Sequence, residues 1–402
     1  NMRNSGYYYS DIYRESAVTL YFNHKPRAYA HLNNRAAGGL NSSIGDMLKF
    51  IKLLALNGAS SIASKASLEA FKNPFGTQAA SQGLAFTWGL GNQIFHANGV
   101  SLYGHEGSLR GTNSILVYSP DHAFAYLIVA NSNSPAVAKI HALLANYLTK
   151  DIETPAVLPQ RKLNESDAKL TGWYKKADPI SDTFSLMQTI IPLKLSSNNI
   201  NMTIKPLIGG SARTLIPDAK EGFKHATIGA LVMVTSKDPS LSNSIYYGPN
   251  TFTKTNVVIA LSPFVIVVFW LVMTLSGVVF MLIWLPRKLF SQSIPSNTLA
   301  LRAWPLAATS FAIVTLLCAR YINNSADVEE LSGTMSAPSV LIFLSTIGFF
   351  VASLYSVWVF YRDRSLAINK GTKWHAALFV FANLALALLL LGQGWIGLRL
   401  WT

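Results

Sequence analysis

The sequence predicts three successive regions: an α+β domain, a small all-β domain and a four-helix transmembrane region. Helical periodicity alternates with strand-like runs over residues 1–155. Short alternating stretches divided by turn residues occupy residues 165–255, after a linker at 156–164. Four long apolar stretches then follow residue 256. A chain of 402 residues is long enough for this division.

The first region is predicted to contain helices flanking an antiparallel sheet. The stretch "NSSIGDMLKFIKLLALNG" has a polar cap, apolar residues at helical spacing and a stop at Asn57-Gly58. "SLEAFKNP" predicts a short helix closed by Pro74, and "AVAKIHALLANYLTK" predicts an amphipathic helix at the end of the region. Strands are predicted by "LAFTWGLGNQIF", "VSLYGHEGS", "TNSILVYSP" and "FAYLIVANS".

The second region shows strand and hairpin signals and little helix. Turns are marked by Asn198-Asn199 and Gly209-Gly210. The strand-like stretches are "LTGWYKKADP", "PLKLSS", "NINMTIKPL", "GALVMVTS" and "NSIYYGPNTFTKT". A sandwich and a barrel are both compatible with this pattern. Two roles are open: shaping access to a substrate site, or spacing the first region from the membrane.

The apolar stretches of the third region are each long enough to cross a bilayer. A hydrocarbon core of about 30 Å requires about 20 apolar residues in a helix. The predicted spans are 257–285, 303–322, 337–361 and 374–396. The lipid bilayer is therefore a predicted partner of this chain.

The loops between the spans differ in charge, which predicts their orientation. The first and third loops are basic, and the middle loop carries only acidic charges. The basic residues are Arg287, Lys288, Arg302, Arg362, Arg364, Lys370 and Lys373, and the acidic residues are Asp327, Glu329 and Glu330. Basic loops remain in the cytoplasm. Everything before residue 256 is therefore expected outside the cytoplasm.

Composition argues against several classes of site. The net charge is +14, but the sequence contains no basic run interleaved with aromatics, which disfavours nucleic-acid binding. The single cysteine, Cys318, allows neither an internal disulfide nor a thiolate metal site. No histidine pair has metal-ligand spacing, so neither a metal nor a cofactor is expected; the histidines considered are His24, His31, His96, His122 and His141.

Three stretches, in order and spacing, resemble a known family. They are "AAGGLNSSIGDMLKFIKLLALNG", "WGLGNQIF" and "YGHEGSLRGTNSILVYSPDHAFAYLIVANS". Over residues 1–155 they resemble the C-terminal half of the serine β-lactamase-related hydrolases. That family includes class C β-lactamases, D-alanyl carboxypeptidases, D-aminopeptidases and esterases.

The resemblance implies a site on one strand. His105-Glu106-Gly107 matches the family's Lys/His-x-Gly motif. A polar side chain at His105 can bind a substrate carboxylate or assist proton transfer, and Gly107 lets a substrate approach the strand closely. The backbone N–H of Ser108 is implied as an oxyanion donor. Arg110 is a candidate for an anionic substrate group, whereas Glu106 is expected on the opposite face of the strand.

The family's other two motifs are not matched in their expected places. Ser166-x-x-Lys169 fits the nucleophile motif by letter but lies after the His-Glu-Gly strand, so it is interpreted as accidental. Tyr21-Phe22-Asn23 fits the Tyr-x-Asn motif by letter but lies too close to the "AAGGL" helix. The first residues contain no apolar export segment. The nucleophile is therefore expected before Asn1, and these residues alone are not expected to turn over substrate.

The predicted function is that of a membrane-anchored serine hydrolase, a peptidase or esterase, in a bacterial inner membrane with its hydrolase region periplasmic. It would act through an acyl-enzyme on a small-molecule or peptide substrate. The architecture also resembles that of membrane peptidases that mature acylated D-amino-acid prodrugs. The competing hypothesis is a non-catalytic β-lactamase-like membrane receptor or partner-binding protein, and a transporter is disfavoured by the few ionisable residues in the spans. The substrate and the oligomeric state are left open.

Overall fold

The computed structural model describes residues 2–7, 16–29, 37–56, 63–73, 76–84, 88–154, 161–177, 187–219, 221–290, 298–325 and 327–401. The chain divides into two compact units. One combines Asn1–Asp178 with Leu193–Lys254, and the other combines Pro179–Pro192 with Thr255–Thr402. The domain boundaries expected from the sequence remain predictions.

An antiparallel sheet of the predicted hydrolase region has the strand order β5-β6-β7-β8. These strands are β5 Gln93–Ala97, β6 Val100–Leu109, β7 Thr112–Ser119 and β8 Phe124–Ala130. Helices α1 Ile44–Ala55 and α2 Lys65–Lys72 pack on one face, and α4 Ala136–Thr149 packs on the other. The strands predicted around the His-Glu-Gly motif and the closing helix are confirmed. The strand predicted over "LAFTWGLGNQIF" forms only from Gln93 onwards. Residues 85–87 of that stretch lie outside the described part.

Shorter elements precede and connect these layers. Strands β1 Ser5–Gly6 and β4 Asn41–Ser42 pair with each other, as do β2 Leu20–Phe22 and β3 Lys25–Arg27. A short helix, α3 Gln78–Ser81, follows α2, and a 3-10 turn, Pro120–His122, joins β7 to β8.

Helix α1 begins at the predicted cap. The Ser43 side chain accepts a hydrogen bond from the Asp46 backbone N–H at 3.2 Å. Its buried apolar residues lie in the C-terminal half: Ile51 and Leu54 are each 5% exposed, whereas Ile44 is 57% exposed. The predicted apolar face is therefore only partly covered, because α1 packs on the sheet through its last turns. The predicted stops Asn57-Gly58 and Pro74, and also His31, lie outside the described residues.

The second region is an eight-stranded closed barrel, so the sandwich alternative is not what forms. The strands run in the order β10-β11-β12-β13-β14-β15-β16-β9. They are β9 Gly172–Lys176, β10 Leu193–Ser197, β11 Met202–Pro206, β12 Arg213–Pro217, β13 Phe223–His225, β14 Leu231–Thr235, β15 Ser244–Tyr247 and β16 Asn250–Thr255. A short helix, α5 Glu165–Lys169, precedes the barrel, and a 3-10 turn, Pro239–Leu241, lies between β14 and β15.

The barrel packs directly against the first region. Ala79 and Leu84, at and just after α3, share a buried cluster with Val234 and Tyr246 of the barrel. Leu84 has no exposed surface. This contact explains why the two regions form one unit.

Four helices in the described part of the chain are long and apolar enough to cross a membrane. They are α6 Val257–Phe290, α7 Leu299–Asn324, α9 Ala337–Arg362 and α10 Lys370–Gly392, with the short α8 Val328–Gly333 between α7 and α9. Glycines allow close crossings: a Cβ on Gly277 would lie 2.3 Å from the Phe379 ring, and one on Gly348 would lie 2.7 Å from Phe311.

The helix ends differ from the predicted spans by a few residues. Helix α6 continues past Leu285 to Phe290, so it includes the basic residues that follow the apolar segment. Helix α10 begins four residues before Trp374, since Asn369 caps it, and it ends at Gly392 instead of Ile396. Gly394 has a φ of +72°, which stops the helix.

Candidate active site

The predicted motif lies on an edge of the sheet that strand pairing leaves open. Asn98 and Gly99 have φ of 49° and 80°, so they form the tight turn that joins β5 to β6. Strand β5 is short, and its pairing with β6 ends at Gln93 opposite Gly104. Beyond Gly104, β6 pairs only with β7 within the described residues. In the described part of the chain, the segment from His105 to Leu109 is therefore an open strand edge.

Strand register sets the direction of the Ser108 backbone N–H. Hydrogen-bonded pairs alternate with non-bonded pairs in an antiparallel ladder. Leu109 and Thr112 flank the two-residue turn Arg110-Gly111, and a closing pair of this kind is hydrogen-bonded. Ser108, one residue earlier, therefore directs its N–H away from β7, towards the open edge.

His105 is exposed and is held by two contacts. Its Nδ1 lies 2.5 Å from the carbonyl oxygen of Glu106. A carbonyl oxygen can only accept, so Nδ1 is the donor, and Nε2 of the neutral ring keeps its lone pair. The Trp88 ring lies 5.4 Å from the imidazole, centroid to centroid. These contacts fix the ring beside the open edge with one nitrogen available for proton transfer.

Gly107 faces Ser114 on β7. An ideal Cβ at Gly107 would lie 2.4 Å from Ser114 Oγ. A side chain at position 107 would therefore displace the Ser114 hydroxyl, a constraint from the neighbouring strand that the sequence did not reveal. Close approach of a substrate to Gly107 remains a prediction.

An asparagine network supports the end of the motif. The Ser108 hydroxyl donates to Asn113 Oδ1 at 2.9 Å. Asn133 Nδ2 donates to the Leu109 carbonyl at 2.8 Å, and Asn133 Oδ1 accepts from the Gly111 N–H. These side chains fix the turn after β6, and sequence reasoning missed both of them.

Arg110 lies in that turn with its guanidinium over a ring. The distance from its Cζ to the Phe22 ring centroid is 4.6 Å. Its carbonyl accepts a hydrogen bond from the Arg27 guanidinium at 2.6 Å. Binding of an anionic substrate group by Arg110 remains a prediction.

Glu106 belongs to the other face of the sheet. Burial lowers the pKa of His141 on α4, and the negative charge of Glu106 opposes that shift. The carboxylate therefore acts electrostatically towards α4. This agrees with the expected alternation between His105 and Glu106.

The two motifs matched by letter have local structural roles. Asn23 and His24 have φ of 50° and 64°, so Asn23 serves the β2-β3 turn. Ser166 and Lys169 are exposed on α5. The Lys169 carbonyl accepts from the Lys254 ammonium of the barrel. These positions support reading Ser166-x-x-Lys169 as accidental.

Comparison with known proteins identifies the family of the first region. Residues 3–149 match the family model Beta-lactamase. These residues therefore form a β-lactamase-family domain, in agreement with the resemblance read from the sequence. No curated protein is similar enough in sequence to match the chain.

Three solved structures resemble parts of the chain. One is an octameric penicillin-binding protein homologue from Pyrococcus abyssi: it is 16% identical, the match covers 63% of this chain and 57% of that one, and the TM-score is 0.29. The structure of SurE is 20% identical; the match covers 57% of this chain and 53% of that one, and the TM-score is 0.32. The structure of SurE with D-Leu is 18% identical; the match covers 55% of this chain and 51% of that one, and the TM-score is 0.29. The chain thus spans just over half the length of each.

Proposed function

We propose that this protein is a membrane-anchored serine hydrolase that acts through an acyl-enzyme, with its hydrolase region outside the cytoplasm of a bacterium. The observation that carries the proposal is the open edge of β6, where His105, Gly107 and Ser108 follow the last residue paired with β5. The β-lactamase-family match of residues 3–149 supports the reaction class.

The geometry suits acyl transfer. A serine oxygen forms a bond to the carbonyl carbon of an amide or ester, and the negative charge develops on the carbonyl oxygen. The Ser108 N–H at the open edge donates to that oxygen, and one such donor is typically worth about 3 kcal/mol. His105 Nε2 accepts or returns a proton as the amine or alcohol leaves. Water then attacks the ester, releases the acid and restores the serine.

The nucleophile is proposed to lie on a Ser-x-x-Lys segment outside these 402 residues. Ser166 and Lys169 match the pattern, but they lie on α5 beside the barrel. The substrates proposed are acylated D-amino peptides, other acylated peptides or esters.

The test uses native membranes, a fluorophosphonate probe and tandem mass spectrometry. We expect a label on a serine that is followed three residues later by lysine and that precedes the "AAGGL" segment. A label on Ser166 would contradict the motif assignment. The absence of any label on the native protein would favour the non-catalytic membrane receptor.

A His105→Ala variant of the full-length protein tests the role of the strand motif. Acylation by the probe should slow by about 100-fold, as for the loss of a proton-transfer group. His122→Ala is the matched control, since His122 lies exposed in the Pro120–His122 turn. Equal acylation by the His105 variant and the wild type would remove His105 from the mechanism.

A further inference from the structure

At the end of the helix bundle where α6 ends and α7 and α10 begin, one arginine lacks a carboxylate counter-charge on the helices around it. Arg302 lies in the first turn of α7 and borders a recess between α6, α7 and α10. None of these three helices contains an Asp or Glu. Asp363, at the end of α9, pairs with Arg362 through contacts of 2.6 and 2.7 Å. The counter-charge for Arg302 must therefore come from elsewhere.

The recess presents two buried donors without a hydrogen-bond partner among the described residues: Trp284 Nε1 and Arg302 Nε. Trp284 is only 6% exposed, so its N–H is removed from solvent. A buried N–H without an acceptor is unfavourable, above all in an apolar surrounding. Trp284 and Arg302 both line the same recess, so the recess is where an acceptor for these donors would lie.

Aromatic and polar side chains hold Arg302 and His375 in place around the recess. The Arg302 guanidinium carbon lies 5.4 Å from the Phe280 ring centroid. The His375 ring lies 4.8 Å from the same Phe280 ring, and His375 Nε2 lies 2.9 Å from Ser276 Oγ. The recess is narrow, with room for about one water-sized atom. That size fits one oxygen of a larger anion whose remainder stays outside.

The surroundings favour an anion that belongs to a lipid. Helices α7 and α10 both begin at this end, so the positive ends of their dipoles lie here. Arg287 and Lys288 end α6 at the same place. Leu282 and Leu289 of α6 are 65% and 67% exposed, which provides apolar surface for acyl chains next to the basic residues.

We propose that this recess binds the phosphate group of an anionic phospholipid. One phosphate oxygen accepts hydrogen bonds from Trp284 Nε1 and Arg302 Nε, and the acyl chains lie along α6. Free inorganic phosphate offers the same oxygen but no acyl chains to cover Leu282 and Leu289. The assignment rests on the four membrane helices and not on the hydrolase reaction.

The test is native mass spectrometry of the full chain released from detergent, with phosphatidylglycerol, phosphatidylcholine and inorganic phosphate as separate probes. We expect preferential retention of phosphatidylglycerol. Trp284→Phe, which keeps an aromatic ring but removes the indole N–H, should weaken that retention by about fivefold, the loss of one hydrogen bond. Arg302→Gln, which removes the charge, and Arg302→Lys, which keeps the charge but removes Nε, should each weaken it at least as much.

Arg364→Gln is the matched control, because Arg364 lies at the same end with its guanidinium 4.0 Å from the Tyr361 ring centroid. It should change retention by less than about twofold, as expected for a surface charge. Wild-type retention by Trp284→Phe would overturn the site. An equal loss in the Arg364 variant would replace it with diffuse surface charge. Binding of inorganic phosphate as tight as that of the lipid would overturn the lipid assignment. Thermal unfolding in phosphatidylcholine verifies that each variant is folded.

Discussion

Gly107 lies close to the hydroxyl of its partner on the neighbouring strand, Ser114. The Cβ of Gly107→Ala would lie 2.4 Å from Ser114 Oγ but 3.8 Å from Ser114 Cβ. We therefore expect Gly107→Ala to lower the free energy of unfolding by about 1 kcal/mol, the lower end of overpacking, because the hydroxyl can rotate. Adding Ser114→Ala should restore most of the loss, as measured by thermal unfolding of the single and double variants.

Gly45→Ala provides the control for this pair. Its Cβ would meet only Ser43 Oγ, at 4.0 Å, and it lies inside α1. Alanine should stabilise that position by about 0.5–1 kcal/mol. A Gly107→Ala loss that Ser114→Ala leaves unchanged would show that the strand needs glycine for another reason.

Asp46 ties the chain near its start to helix α1. One carboxylate oxygen accepts from the Asn4 N–H at 2.7 Å and the Ser5 hydroxyl at 3.1 Å, and the other accepts from Lys49 Nζ at 2.8 Å. The hydrogen bond from Lys49, more than any other contact, holds the pKa of this carboxyl below its ordinary value. A depressed folded-state pKa stabilises the fold above the unfolded-state pKa, and that stabilisation disappears as pH falls through the folded-state pKa.

Asp46→Asn should therefore destabilise the protein at pH 7. The difference from the wild type should shrink as the pH falls below about 4, where the carboxyl of the unfolded wild type takes up its proton. Thermal unfolding of both proteins between pH 7 and pH 3 measures this difference. A difference that does not vary with pH would mean that Asp46 acts through its shape and not its charge.

At the scale of elements, Asn383 links three membrane helices. On α10, its Oδ1 accepts from Trp270 Nε1 of α6 at 2.9 Å and from Thr309 Oγ1 of α7 at 3.1 Å. Its Nδ2 donates to the Pro305 carbonyl of α7 at 2.9 Å. Asn383→Leu should lower stability in detergent by about 1 kcal/mol, as is usual for polar contacts between membrane helices.

Ser310→Ala is the comparison for Asn383. The Ser310 hydroxyl bonds only within its own helix, to the Leu306 carbonyl at 2.9 Å. Its removal should change the thermal midpoint little. If both variants lose equal stability, the interhelical network contributes nothing beyond helix-internal bonding.

Elements with a local signal were predictable, and those that depend on pairing were not. The β5-β6 hairpin follows from Asn98-Gly99, and the membrane helices follow from their apolar length. Strands β12 and β13 were missed, because Arg213–Pro217 buries three successive residues without alternation and Phe223–His225 is too short for a pattern.

The same distinction applies to the candidate site. His105, Gly107 and Ser108 are consecutive in one strand, so a motif finds them. Trp88 and Asn133 reach β6 from other segments. Nothing in their local sequence indicates that contact.

At the scale of the whole molecule, charge is distributed unevenly between the two ends of the bundle. The residues at the starts of α7 and α10 and at the ends of α6 and α9 are basic, whereas Asp327 and Glu330 follow α7. Retention of basic loops in the cytoplasm predicts that the β-lactamase-family region is outside. This orientation decides whether the proposed hydrolase meets extracytoplasmic substrates.

Two cysteine positions test the orientation in a chain whose native thiol is first removed by Cys318→Ser. Met335→Cys lies before α9 at a side chain that is 71% exposed, and Ser365→Cys lies in the exposed loop after it. The acidic end should face outward, so a membrane-impermeant maleimide should label the cysteine at position 335 in intact spheroplasts. The cysteine at position 365 should be labelled only after lysis, and the cysteine-free chain should not be labelled at all. The reverse pattern would place the first 256 residues in the cytoplasm. The proposed extracytoplasmic hydrolase would then be wrong, whatever chemistry the open edge of β6 supports.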